Sequence, residues 1–198
     1  MKVALVNPRW SFERSIYFGC RAPHLPLELG YAKALLEQDG HECLLLDGHI
    51  TDTATGALAE EVAAFAPEMT VFTTAPSYLF WRCTQPELRV PREFVAALAG
   101  RGGRTVAVGP HGSATPQATL TKLGCDIVVR GECEEIVALL AQDGDEEKIP
   151  AIAYRASDGA IRVTGGPHAG PASWKAMAVL GAGDLAAYSG SRALAGGH

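Results

Sequence analysis

Three short stretches of the chain carry residue types that can do chemistry. Gly109-Pro110-His111-Gly112 sets an imidazole between two residues without side chains. Glycine lets a ligand approach the backbone closely, and imidazole serves as a base or a metal ligand. The ordinary role of such a stretch is a tight turn from strand to helix. Arg130-Gly131-Glu132, followed by Glu134 and Glu135, joins a glycine to carboxylates that suit the positive end of a helix. Helix-start chemistry explains much of that pattern, while Gly131 marks a close approach. Asp47-Gly48-His49 places a carboxylate two residues before an imidazole, a spacing open to metal ligation or acid–base work. Other chemistries lack their residues. No G-x-G-x-x-G follows the first apolar run, and no G-x-x-x-x-G-K-[ST] occurs. No G-x-S-x-G elbow occurs. A receiver-type phosphoacceptor would need acidic residues where Asn7 and Thr74 stand.

The elements that must position these residues alternate in kind. Val3–Val6, Cys43–Leu46, Met69–Thr73, Thr105–Val108 and Ile127–Val129 are short, β-rich and almost free of charge, as strands buried on both faces are. Between them run helical patterns over Leu27–Gln38, Thr53–Phe65, Arg92–Leu98, Pro116–Leu123 and Glu132–Ala141, most stopping at a glycine or before a proline. Five strands alternating with five helices predict a doubly wound, Rossmann- or flavodoxin-like α/β fold with a five-stranded parallel sheet. Two connections are long: Asn7 to Pro26, with Trp10, Phe12, Ile16, Tyr17 and Phe18, and Thr74 to Pro91, with Tyr78, Phe80 and Trp81. Long, apolar loops in a compact domain are usually functional. Both follow strands, so both lie at the carboxyl edge of the sheet, where open α/β sheets bind ligands.

The pattern changes after residue 150. Ala151–Arg155 and Ala160–Val163 flank Ser157-Asp158-Gly159 and predict a β-hairpin. From Gly165 the chain is rich in Gly, Ala and Ser and reads as tail or linker. The expected organisation is an α/β domain over 1–148, a hairpin extension over 149–165 and a tail over 166–198.

Composition sets outer limits. A chain of 198 residues with 47% hydrophobic and 20% charged residues can bury a full core and is not a disordered composition. A net charge of −5 without a Lys/Arg cluster speaks against a nucleic-acid or anionic-membrane surface. No apolar run reaches the roughly 18 residues of a membrane span. The five cysteines (Cys20, Cys43, Cys83, Cys125, Cys133) are odd in number, widely spaced and without a C-x-x-C pair. They predict buried thiols in a reducing cytoplasm rather than a zinc site or a disulfide framework.

The motif order resembles a known family. The order is strand-Asn7-Pro8, a long loop, His24-Leu25-Pro26-Leu27-Glu28-Leu29-Gly30-Tyr31 into a helix, and Gly40-His41-Glu42 into the second strand. Then come Thr73-Thr74 with Ser77-Tyr78, Val108-Gly109-Pro110-His111, and Asp126–Glu132 with Glu134-Glu135. Over roughly residues 1–165 this is similar to the N-terminal cobalamin-binding domain of cobalamin-dependent radical S-adenosylmethionine (SAM) proteins. Ile16–Arg21 with His24–Glu28 is suggestive of one subgroup.

The resemblance implies a binding module that positions cobalt for methyl transfer or radical chemistry done elsewhere. It implies cofactor contacts at Asn7, Pro8, Trp10, Thr74, Ser77, Tyr78, Gly109, Pro110, His111, Gly112, Gly131 and Glu132, with Ser113 and Trp81 nearby, and no catalytic or metal-ligating residue. Members with Asp-x-His-x-x-Gly after the first strand use its histidine on cobalt; here Asn7-Pro8-Arg9-Trp10 stands there. Asp47-Gly48-His49 mimics part of that signature, but it follows the second strand and Asp52 replaces the final glycine, so it reads as a decoy. The resemblance also implies a slot that draws the nucleotide tail off cobalt, so the expected cofactor is base-off cobalamin without a protein imidazole on cobalt. The family's C-x-x-x-C-x-x-C for a [4Fe–4S] cluster is missing, as is the barrel after Trp174 and Asp184–Tyr188. The expected partner is a radical SAM domain or subunit that carries the cluster, and the chain reads as a shortened, split or degenerate form. Two alternatives stay open: a flavodoxin-like enzyme for another nucleotide-like ligand, with His111 or His24 as acid–base residue, and a degenerate domain without cofactor.

Overall fold

A computed structural model describes residues 1–11, 24–76, 88–142 and 145–170. The expected contacts Ser77 and Tyr78, with Trp81, Cys20, Cys83 and the segments Ile16–Arg21 and 171–198, lie outside the described residues.

The chain runs β1 (Lys2–Asn7), α1 (Leu27–Gln38), β2 (Glu42–Asp47), α2 (Thr55–Phe65), β3 (Met69–Thr73), α3 (Arg89–Leu98), β4 (Arg104–Val108), α4 (Pro110–Ala114), α5 (Pro116–Leu123), β5 (Ile127–Val129), α6 (Glu134–Gln142), β6 (Ile152–Arg155) and β7 (Ile161–Val163). The sheet has seven strands in the order β2-β1-β3-β4-β5-β6-β7. β1 to β5 are mutually parallel, the doubly wound order of flavodoxin-like sheets. The expected hairpin forms around Gly159 at φ +82°. β6 pairs antiparallel with β5, and β7 with β6, so the five-stranded sheet expected from sequence becomes a mixed sheet of seven. The physical reason is that β5 would otherwise be an open edge beside an apolar strand, Ile152-Ala153-Tyr154, with its own face to bury.

Period-two alternation sorts the side chains of β1. Val3 and Leu5 enter one core with Leu29, Leu36, Ile136 and Leu140 of α1 and α6. Ala4 and Val6 enter the other with Leu58, Val62, Phe94 and Leu120 of α2, α3 and α5. Both faces are apolar because both are covered, which is why the strands read as unbroken hydrophobic runs. Phe72 of β3 meets Phe94 of α3 with ring centroids 5.9 Å apart and planes tilted by 58°, a favourable edge-on geometry.

Proline does not bound α3 as the sequence pattern suggests. α3 begins at Arg89 and carries Pro91 in its first turn, where the missing N–H has no helical partner to lose. Gly109–Gly112 is more than a turn: Pro110 opens the one-turn helix α4. No helix among the described residues is long and apolar enough to cross a membrane.

Candidate functional site

Because β1 to β5 are parallel, Asn7, Asp47, Thr73-Thr74, Gly109 and Arg130-Gly131 all come to the carboxyl edge of the sheet. The chain leaves β1 toward β2 on one side, and β3 lies on the other, so the topological switch point falls between β1 and β3. The side chains there form a closed polar knot. The Asn7 carboxamide is buried; its Oδ1 accepts from Trp10 Nε1 at 2.7 Å and from Thr73 Oγ1 at 3.1 Å. Its Nδ2 donates to Asp47 Oδ1 at 2.8 Å. One amide thereby ties the ends of β1, β2 and β3 and pins the buried Trp10 indole over the crevice. Pro8 is buried between them.

Asp47 and His49 have a structural role in this knot. Asp47 Oδ1 also accepts from the backbone N–H groups of His49 at 3.0 Å and Ile50 at 3.2 Å, holding the loop after β2. Burial lowers the pKa of His49, as does the nearby His24, against the opposing pull of Asp47. Among the described residues no group of three or more His, Cys, Asp or Glu could hold a metal.

Thr74 stands apart from this saturated cluster. Its N–H donates to Val108 O at 2.8 Å, so the residue extends the β3–β4 ladder. Its side chain is wholly buried, and its Oγ1 has no hydrogen-bond partner. Buried hydroxyls are nearly always paired, so an orphan marks a place for a ligand or water atom. Across the ladder, Gly109 adopts φ +121° and ψ −170°, a region open essentially to glycine alone. These two features leave room for a polar partner atom at the carboxyl ends of β3 and β4. They are the parts of the expected site that the chain itself leaves unfilled.

The other expected glycines have partners inside the chain. A Cβ on Gly112 would sit 2.4 Å from Val129 O and 2.5 Å from Val128 Cγ1, so this glycine lets α4 lie directly on β5. A Cβ on Gly131, at φ +84°, would sit 2.1 Å from His168 O and 2.6 Å from His168 N. The close approach that sequence reasoning read at Gly131 is real, but the group approaching is the backbone of His168. Ser113 is likewise engaged: its Oγ accepts from Gly131 N at 2.8 Å and lies 3.4 Å from Gly109 O. The Glu132 N–H donates to His168 O at 3.0 Å. His111 is 7% exposed, and its carbonyl accepts from Thr115 N and Thr119 Oγ1 at 2.8 and 3.0 Å, which locks α4 onto α5. No sequence signal announced His168, because the stretch around it carries no hydrophobic period and no motif.

Of the described thiols, Cys125 and Cys133 are buried and Cys43 is half-buried. Burial, with Asp126 adding to it, pushes the Cys125 thiol up to about 12. Burial also raises the Cys133 thiol well above its ordinary value.

Comparisons with known proteins bear on the family and the fold. The model of the B12 binding domain family matches residues 20–141. Among solved structures, the radical S-adenosylmethionine methyltransferase TsrM from Kitasatospora setae, with cobalamin and a [4Fe-4S] cluster bound, superposes with a TM-score of 0.61 at 24% identity, over 83% of this chain and 29% of that one. The cobalamin-dependent S-adenosylmethionine radical enzyme OxsB, with aqua-cobalamin and S-adenosylmethionine bound, superposes with a TM-score of 0.60 at 14% identity, over 85% of this chain and 22% of that one. At these identities the likeness is one of fold, and the chain spans less than a third of either structure. No curated protein matches the chain. With more than half of its length under the family model, the chain belongs to the B12-binding domain family.

Proposed function

We propose that the protein is a cobalamin-binding module that positions cobalt for methyl transfer or radical chemistry carried out by a radical SAM domain or subunit bearing a [4Fe–4S] cluster. The observation that carries this reading is the unpartnered Thr74 hydroxyl beside Gly109, at the carboxyl edge of a sheet whose family is B12-binding. Cobalamin, when bound, supplies a cobalt centre able to carry a methyl group. Thr74 would donate to a polar group at the rim of the ligand, with Ser77 and Tyr78 following it in the chain. Gly109, Pro110 and His111 would face the ligand across the β3–β4 ladder. Asn7, Pro8 and Trp10 form the wall at the switch point. Gly112, Gly131 and Glu132 act as frame, since their contacts lie within the chain.

The same reading gives base-off cobalamin without a protein imidazole on cobalt. Neither Asn7, Pro8, Arg9 nor Trp10 is an imidazole or thiolate donor. Titration of the full chain with hydroxocobalamin, followed by gel filtration, is expected to leave about one equivalent of corrin absorbance on the protein. Colourless protein after saturation overturns the proposal. On the loaded and reduced protein, electron paramagnetic resonance is expected to show cobalt lines without nitrogen superhyperfine splitting. Splitting that disappears in His111→Ala would identify His111 as the ligand instead. Splitting that persists there would mean the benzimidazole stays bound.

A further inference from the structure

We propose that residues 165–170, beyond the Thr164–Ile152 pairing that ends the β6–β7 ladder, form a displaceable strap across the carboxyl end of β5, and that a ligand entering this edge releases it. This rests on the cobalamin reading for the identity of the ligand but on separate contacts for the device. Beyond β7 the chain turns back, and His168 forms an isolated parallel bridge with Gly131. His168 N donates to Arg130 O at 2.8 Å, and Glu132 N donates to His168 O at 3.0 Å. The His168 carbonyl thus fills the hollow that Gly131 leaves. Two side chains add latches. The Arg130 guanidinium donates to the carbonyls of Thr164 and Gly165. His168 Nε2 meets Glu135 Oε2, on the first turn of α6, at 3.0 Å.

Every one of these anchors is polar. Gly165, Gly166, Pro167 and Ala169 are exposed, and no strap side chain enters either core. A segment held by a few polar contacts and no buried apolar side chain sits at the low end of local stability. It lies on the same edge as Thr74 and Gly109, one strand beyond β4. Ser113 joins the two places, its hydroxyl touching Gly109 O on one side and Gly131 N on the other. A ligand seated at Gly109 therefore acts on the hydrogen bond that orients Gly131 against the strap.

Hydrogen exchange of the full chain, with and without saturating hydroxocobalamin, tests the device. With corrin bound, exchange at the amides of Glu132 and His168 is expected to speed up at least tenfold. In His168→Ala, which removes the Glu135 latch and keeps the backbone bonds, corrin is expected to associate several-fold faster than in the unsubstituted chain. Corrin bound with those amides slowed or unchanged overturns the strap as a gate and makes it a fixed wall. Corrin retained only by the His168→Ala chain supports the gate. Corrin retained by neither chain overturns the cobalamin reading, and the gate with it.

Discussion

Replacing Thr74 by valine separates what a ligand needs from what the fold needs. The Thr74 Oγ1 is fully buried and unpaired, and leaving a buried donor unsatisfied costs about 1–3 kcal/mol. Valine has nearly the same shape, suits a strand end, and removes that cost. The ligand-free variant should gain about 1–2 kcal/mol, which for a chain of this length raises Tm by roughly 2–8 °C. The hydroxyl's loss should also cost the ligand one hydrogen bond, about 0.5–1.5 kcal/mol, or roughly a two- to tenfold weaker Kd for hydroxocobalamin. Stability and affinity thus move in opposite directions. Thr74→Ser is the control: it keeps the hydroxyl and drops the methyl, so it should lose stability and hold affinity. Differential scanning calorimetry reads the first quantity and spectrophotometric titration the second. A valine variant that melts lower than the parent would mean the hydroxyl is already paired, and the argument for Thr74 as a ligand contact would fail.

The remaining predictions concern the frame. Asn7→Leu removes the bonds to Trp10, Thr73 and Asp47; at about 1 kcal/mol each the chain should lose roughly 2–4 kcal/mol in urea denaturation, with tryptophan emission shifted to the red. Gly109→Ala places a Cβ at φ +121°; it should cost about 1–3 kcal/mol and weaken corrin retention, with circular dichroism confirming the fold. Cys125 and Cys133 should resist iodoacetamide at pH 8 and react once the chain is denatured, because burial favours their neutral thiols. The sign of the linkage follows: the folded chain holds the Cys125 proton up to about 12 while the unfolded chain releases it near 9.0, so stability falls as pH rises between those values.

The fold was readable from the residues because its core obeys one rule. Each of the five parallel strands is a short run almost free of charge, and most helical patterns stop at a glycine or before a proline, so alternation predicted the doubly wound sheet. What escaped was tertiary. Nothing in Ile152-Ala153-Tyr154 says whether a hairpin stands alone or adds to a sheet; that depends on β5 having a free edge. Pro91 looked like a boundary because a proline's damage depends on its turn number, which periodicity does not locate. The site divides the same way. Gly109 could be read from its place after β4, and its φ justifies the reading. Gly112 and Gly131 carry the same residue-level signal, yet their hollows are filled by Val129 and His168. A glycine reports that something comes close and is silent about what it is.

That silence explains how the carboxyl edge is arranged. An edge built from five strand ends exposes many backbone donors and acceptors, and a buried one left unpaired is costly. The chain meets this by spending its own groups at the two flanks. Asn7 and Asp47 close the β2–β1 side, while Ser113 and His168 close the β5 side. The centre, at β3 and β4, leaves the Thr74 hydroxyl unmet beside a backbone conformation only glycine tolerates, and on the β5 flank Arg130 Nε is likewise unpaired. The bonds at the β1 flank hold the centre in a fixed shape, so a ligand docking there meets the Thr74 hydroxyl already in place, while the β5 flank has to yield. The β5 flank differs from the β1 flank in one respect that matters for entry: Asn7 is locked among buried side chains, whereas His168 is held by half-buried polar contacts and is the side on which the edge can open.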